Sequence, residues 1–450
     1  MKSADGTPST YHQILLLFSQ AFKALEKKVS SDEIEYLGGL IYQVMSSPER
    51  LYHRPDHVLD LSREATHPIA SLAILFHDLV YVQVDTLIHP LLLHYLEEFK
   101  VESGYKVTLG SVQEFKLVAN LFEMKKGQTL TPPTSLNEFL SAVVASRVLK
   151  RYLTPWEIAQ IACCIEATIP FRTADSQGMT SSDHLFDRLK AVNKSFGLKK
   201  SETDLAEAIQ LSIEVSNRDV GGFASENTGY FVSQTWNMIM EGNPIFRNHL
   251  YTVRQYREAL QRIRGFHNSL PIDRIFKQFR GFPSDSKLAD LCSQATENRK
   301  IQDEYLQVSL LALGVLEAIS QLTGGDAPYM LFMGDPAHEI SEIEKKLGLP
   351  KSRADKNQVV RSLLRYGRTQ SSPFDFKNSP LADFFYESLN KEDLGSALQR
   401  NEEFLDSKIT PMQFLKSLKK VTLKSILKAT SELAISRKEK ILQLTKDILD

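Results

Sequence analysis

The chain has 450 residues, 42% of them hydrophobic and 24% charged, the proportions of an ordinary soluble globular protein. Its 54 basic and 55 acidic residues nearly cancel, so the chain as a whole makes no electrostatic case for nucleic acid or an anionic membrane. Three cysteines, with Cys163 and Cys164 adjacent and Cys292 far away, offer no CxxC metal spacing and fit small core thiols in a reducing compartment, the cytoplasm.

The start, "MKSADGTPSTYHQILLLF", has one Lys and then a polar run, so a signal peptide is not expected. From Tyr11 onward helical periodicity takes over: Ile14, Leu15, Phe18, Phe22 and Leu25 recur at the three-to-four spacing of one buried face. "SSDEIEYLGGLIYQVMSS" opens on Ser, Ser, Asp and Glu, whose side-chain oxygens can cap free backbone N–H groups. Alternating strand runs are scarce along the whole chain, and the expected fold class is all-α.

The next stretch, "LYHRPDHVLDL", sets His53 and His57 four residues apart, which on a helix places both imidazoles on one face. Two such rings can bind one metal, or one can bind while the other acts as an acid. Asp60 and Glu64, one to two turns on, are candidates to orient a ligand imidazole, or are simply solvated helix charges. In "LAILFHDLVY" His77 and Asp78 are adjacent, so on an ideal helix they diverge by about 100° and reach one ion only at its flank. Together the four point to a mixed nitrogen–oxygen site, suited to Zn, Mn, Fe or Mg rather than to thiolate chemistry. His89 and His94 read as structural.

Further along, "IEATIPFRT" places Thr168 and Arg172 near a helix end where phosphate could bind. "LAEAIQLSIEVSNRDVGGFA" embeds Asp219 behind an apolar helix; an acid there calls for a cation or a firm hydrogen-bond network. Arg218 beside it could pair a phosphate or an acid. "GYFVSQTW" offers Gln234, with Phe231 and Trp236, to grip a purine, although aromatics at this spacing commonly belong to a core. No GxxxxGK[ST], GxGxxG, HExxH or GxSxG occurs, which argues against ATPase, dinucleotide, zincin and serine-hydrolase chemistry.

A domain boundary is expected between residues 240 and 285. The division is an N-terminal helix over 1–34, a site-bearing domain over 35–265 and a helical C-terminal region over 266–450. There "YLQVSLLALGVLEAISQL" carries Gln307, Glu317 and Gln321, so it reads as a buried helix and not a membrane span. From Lys408 to Lys440 nine basic residues face only Glu432 and Glu439. Leu415, Leu418, Ile426 and Leu433 could line one side of a basic helix that docks an acidic partner, anionic lipid or nucleic acid; the alternative is a solvated helix face. A homodimer is compatible with the sequence.

The order Tyr52-His53-x-x-x-His57, His77-Asp78 and a distant Asp219 resembles the HD superfamily of metal-dependent phosphohydrolases. The YHxxxH form looks most like its cyclic-nucleotide phosphodiesterase branch and bacterial relatives, over residues 35 to 240. The resemblance implies an HD-type helical bundle and one or two divalent ions. His57, His77, Asp78 and Asp219 would be ligands of the first ion, Asp78 would bridge to a second, and His53 would be the general acid. The implied substrate is a phosphate ester, most naturally a nucleotide. Two departures concern the substrate more than the chemistry. Arg54 stands where those phosphodiesterases have Asn, and "LVYVQVDTLIHPLLLHY" lacks their usual continuation. The competing expectation is a non-catalytic module on the same scaffold that senses a nucleotide or binds a protein.

Overall fold

A computed structural model describes residues 8–449, apart from 86, 102–103, 108–112, 132–134, 249, 337–339, 349, 351–354 and 371–373. The expected all-α class holds. Among the described residues there are 22 α-helices and one small antiparallel sheet, β1 (Lys100–Val101), β2 (Gly104–Lys106) and β3 (Thr129–Leu130), paired in that order.

The chain divides into two compact units, and it visits each of them twice. Unit 1 takes residues 1–222 and 271–293; unit 2 takes 223–270 and 294–450. The sequence reading draws its boundaries at 34/35 and 265/266, whereas the chain crosses at 222/223, 270/271 and 293/294. The returning segment belongs to unit 1 for a physical reason. Phe279 is buried in that unit's core and packs against Phe186 at 5.4 Å between ring centres. The Lys277 backbone exchanges two hydrogen bonds with the Asn217 side chain, both at 2.8 Å.

Unit 1 opens with α1 (Thr10–Ala24) and α2 (Ser31–Met45). The expected cap at Ser30 forms a reciprocal box, in which Ser30 Oγ accepts from the Glu33 N–H and the Glu33 carboxylate accepts from the Ser30 N–H. Next come α3 (Pro55–Ser62), α4 (Pro68–Phe76), the short α5 (Val82–Asp85) and α6 (Leu93–Leu96), and α7 (Gln113–Leu121). The series ends with α8 (Leu136–Leu149), α9 (Pro155–Ala167), α10 (Ser181–Ser195) and α11 (Glu202–Asp219). Every residue of α4 from Ile69 to Phe76 is buried, and the helix packs against α1, α3, α8, α9 and α11. A helix that is apolar all round has no other stable place than a core centre.

Unit 2 contains α12 (Thr228–Glu241), α13 (Val253–Ser269), most of α14 (Asp285–Thr323), α15 (Met330–Met333), α16 (Glu342–Leu347), α17 (Gln358–Tyr366), α18 (Pro380–Ser388) and α19 (Lys391–Leu405). α14 has the length and composition to cross a bilayer, but 83% of its apolar window is buried in the protein, in keeping with a core helix. The basic 408–440 stretch is not one helix. It folds as α20 (Pro411–Ser417), α21 (Lys420–Leu433), a 3₁₀ turn and α22 (Lys438–Leu449), because Leu418 and Lys419 adopt extended backbone. Leu415, Leu418 and Ile426 are buried there, and Arg437 turns inward to donate to the Ser320 and Gly325 carbonyls.

Candidate metal centre

The end of the buried α4 carries His77 and Asp78. α4 ends at Phe76; His77 is its C-cap, still with helical backbone at φ −59° and ψ −37°, and Asp78 lies in the turn that follows. The expected 100° divergence does not keep the two side chains apart: His77 Nε2 lies 2.8 Å from Asp78 Oδ2. His57 sits inside α3, and its Nε2 lies 3.6 Å from Asp78 Oδ2 and 3.3 Å from Asp219 Oδ1. Asp219 is the last residue of α11, 3.4 Å from His77 Nε2. A carboxylate at a helix C-terminus meets the negative end of the dipole, so it needs positive charge nearby. The ligand atoms of His57, His77, Asp78 and Asp219 all lie within 4.8 Å of one another, and this group could hold a metal ion.

His53 reaches the group by another route than the one expected. Pro55 is the first residue of α3 and holds Arg54 in extended backbone, so His53 lies in the bend before the helix, not one turn below His57. Its Nε2 is 4.0 Å from Asp78 Oδ2, and its ring stands edge-on between Tyr52 at 4.7 Å and Tyr81 at 4.3 Å.

The donor set fits a cation on two counts. The first is the geometry of His77, which gives its Nδ1–H to the Ile74 carbonyl at 2.8 Å and so aims Nε2 at the carboxylates. That Nε2 is buried and makes no directed hydrogen bond. The second is spacing. Ligands about 2.0–2.2 Å from one ion stand about 3–3.5 Å apart along the edges of its polyhedron; here four His–Asp pairs lie at 2.8–3.6 Å, within a group no wider than 4.8 Å. The charges agree with this. Burial disfavours a charged His77, but Asp78 and Asp219 outweigh it and hold its pKa well above the usual value. Burial likewise opposes ionisation of Asp219, yet its contacts with His57 and His77 bring it to about 2. Asp78 is held lower still by His77, His53 and His57. The group is built to keep two half-buried carboxylates ionised around positive charge.

Other candidates are engaged elsewhere. Thr168 donates to the Ile165 carbonyl. Arg172 forms a two-pronged pair with the buried Glu166 at 2.7 and 3.0 Å, and Arg188 joins the same carboxylate. Arg218 pairs Glu214 and bonds the Glu64 carbonyl. Asp60 pairs Arg63 at 2.7 Å, while Glu64 is 88% exposed and 3.7 Å from Arg218. Arg54 is exposed at the start of α3. Gln234 is half-buried on α12 in unit 2, where Trp236 gives its N–H to Tyr256 and Asp375 and Phe231 packs on Phe223.

Three residues at the centre escape the sequence reading. Arg50 is buried behind it. Glu138, on α8 beside Asn137 and Ser141, feels Asp78 and Asp219; burial together with those charges lifts its carboxyl to about 7. Lys277 donates to the Ala167 and Ile169 carbonyls at the end of α9, and burial with Arg172 close by lowers its ammonium to about 7. Glu138 carries the same signal as Asp219, an acid inside an apolar helix. Lys277 carries none, because its segment follows unit 2 residues in the chain. No protein-family model, curated protein or solved structure matches this chain.

Proposed function

We propose that the chain is a metal-dependent phosphohydrolase, a phosphodiesterase or phosphatase acting on a nucleotide-type phosphate ester. The observation that carries the reading is the convergence of His57, His77, Asp78 and Asp219 from three separate segments, with His53 at 4.0 Å from the shared carboxylate. These four residues would hold one divalent ion, Zn, Mn, Fe or Mg, with Asp78 placed to share a second. Such an ion supplies Lewis acidity toward a phosphoryl group and makes nearby water acidic enough to act near neutral pH. His53 gives its proton to the departing oxygen, and the Tyr52 and Tyr81 rings fix its plane. Arg54, exposed one residue away, is the nearest candidate to meet an anionic substrate. The free thiols suit a reducing compartment.

Elemental analysis of the purified protein and of a His77→Ala/Asp78→Ala variant tests this, with hydrolysis of bis(p-nitrophenyl) phosphate and a set of nucleotides followed in parallel. The expected result is one or two metal equivalents and turnover, both lost in the variant. Metal without turnover on any ester would instead support a nucleotide-sensing module. Absence of metal after addition of Mn or Zn would return the histidines to a structural role.

A further inference from the structure

Arg50 is 1% exposed, three residues before His53 in the connection between α2 and α3. Its guanidinium grips Asp85 of α5 with both prongs, Nε to Oδ1 at 2.9 Å and Nη2 to Oδ2 at 2.6 Å. Nη1 donates to the Asp78 carbonyl at 2.8 Å and to the His53 carbonyl at 3.4 Å, and Nη2 donates to the Leu79 carbonyl at 3.1 Å. A guanidinium has five N–H donors, and all five are used. Arg50 therefore has none left for a substrate phosphate. It joins the bend that carries His53 to the turn that carries Asp78, and Asp85 holds its plane.

We propose that Arg50 and Asp85 form the positioning clamp of this centre. They fix the proton-donating His53 relative to Asp78, and fix Asp78 relative to the other three ligands. The inference rests on the metal-centre reading and adds to it the group that sets the geometry. The side chains of His53 and Asp78 belong to a bend and a turn, where no helical ladder locks the backbone, so the guanidinium substitutes for that ladder. α8 secures the same loop from its far side: Ser141 Oγ accepts from the Val80 N–H at 2.9 Å, and Asn137 Oδ1 from the Val82 N–H at 3.2 Å. Lysine cannot replace the arginine, since a single ammonium has three donors and no planar fork.

The test compares Arg50→Lys and Asp85→Asn with Arg368→Lys. Arg368 is an equally buried arginine of unit 2, bonded to Asp375 and the Phe376 carbonyl. Affinity for Co²⁺ and its visible absorption spectrum are measured on folded protein, together with the melting temperature. Arg50→Lys is expected to weaken Co²⁺ binding about 10- to 100-fold and to change the spectrum, with a smaller loss in Asp85→Asn. Arg368→Lys is expected to lower the melting temperature with affinity and spectrum unchanged. Wild-type affinity and spectrum in both clamp variants would overturn the proposal, as would weakening by Arg368→Lys in proportion to its loss of stability. If the wild-type chain takes up no metal, the centre falls and the clamp's role with it. If it binds metal but hydrolyses nothing, only the phosphohydrolase reading falls and the clamp stands.

Discussion

His53 and His57 are held in different ways, and their substitutions should differ accordingly. His57 is buried in α3 and contacts both carboxylates, whereas His53 is half-buried in a bend and touches the group only at its edge. His53→Ala should keep the metal and the melting temperature while lowering turnover about 10²- to 10⁴-fold, read from metal content and steady-state rates on one preparation. Arg172 leads to the opposite expectation. Its fork is spent on Glu166, so Arg172→Ala should cost about 1–3 kcal/mol of stability and leave KM unchanged. A third expectation concerns pH. His267 of unit 2 is 3% exposed, and burial, aided by Arg299, lowers its pKa from 6.5 to about 4. The unfolded chain then binds a proton that the folded one refuses. Stability is complete above pH 6.5 and falls as pH drops toward 4, by about 3 kcal/mol at most. Urea midpoints at pH 7.5 and 5 should show the loss, and His267→Gln should reduce it. At this scale the His/Asp group that could hold a metal was legible, because histidines and acids flanked by apolar residues require an explanation. The partners of Thr168, Arg172 and Arg218 were not, because an arginine's choice between a phosphate and a carboxylate depends on which acid folds beside it.

Among the elements, α4 matters most to the site, because it sets the depth at which His77 and Asp78 emerge. Leu75 is 0% exposed two residues before His77. Leu75→Ala should cost about 2–5 kcal/mol, and a calorimetric scan should place that loss in unit 1. In unit 2, Gly314 of α14 meets α19: a Cβ there would stand 1.9 Å from Asn401 Oδ1, in a helix where glycine otherwise weakens the fold. Gly314→Ala should therefore destabilise by about 1–3 kcal/mol despite its better helix propensity, measurable from the denaturant midpoint. Helices with a regular apolar face or a reciprocal cap, such as α1 and α2, could be read from the sequence, since both signals are local. The ends of α3 and α4 could not be placed as well. The sequence shows a four-residue spacing but not that Pro55 begins the helix between the two histidines, nor that α4 closes at the His77-Asp78 pair.

At the scale of the whole molecule, the division of the chain was the least legible feature. Pro- and Gly-rich stretches mark turns, and "GFPSDS" at 281–286 is a turn that leads into α14, inside the segment that returns to unit 1. Local composition cannot say which core Phe279 will enter. The consequence for experiment is direct. A fragment ending at residue 265 keeps all four candidate ligand residues and His53 yet lacks Lys277 and Phe279, so it should lose any metal binding of the full chain and ordered helix, as followed by metal content and circular dichroism. The same threading bears on how the protein is made. A ribosome releases α11 with Asp219 before unit 1 has its closing segment, and the 71 residues from 223 to 293 must be added first. At about 5–20 residues per second the nascent chain spends about 4–14 s with its histidines and acids formed but unsealed. During that interval the part-finished core is open to chaperones, to proteases and to whichever metal the cell supplies.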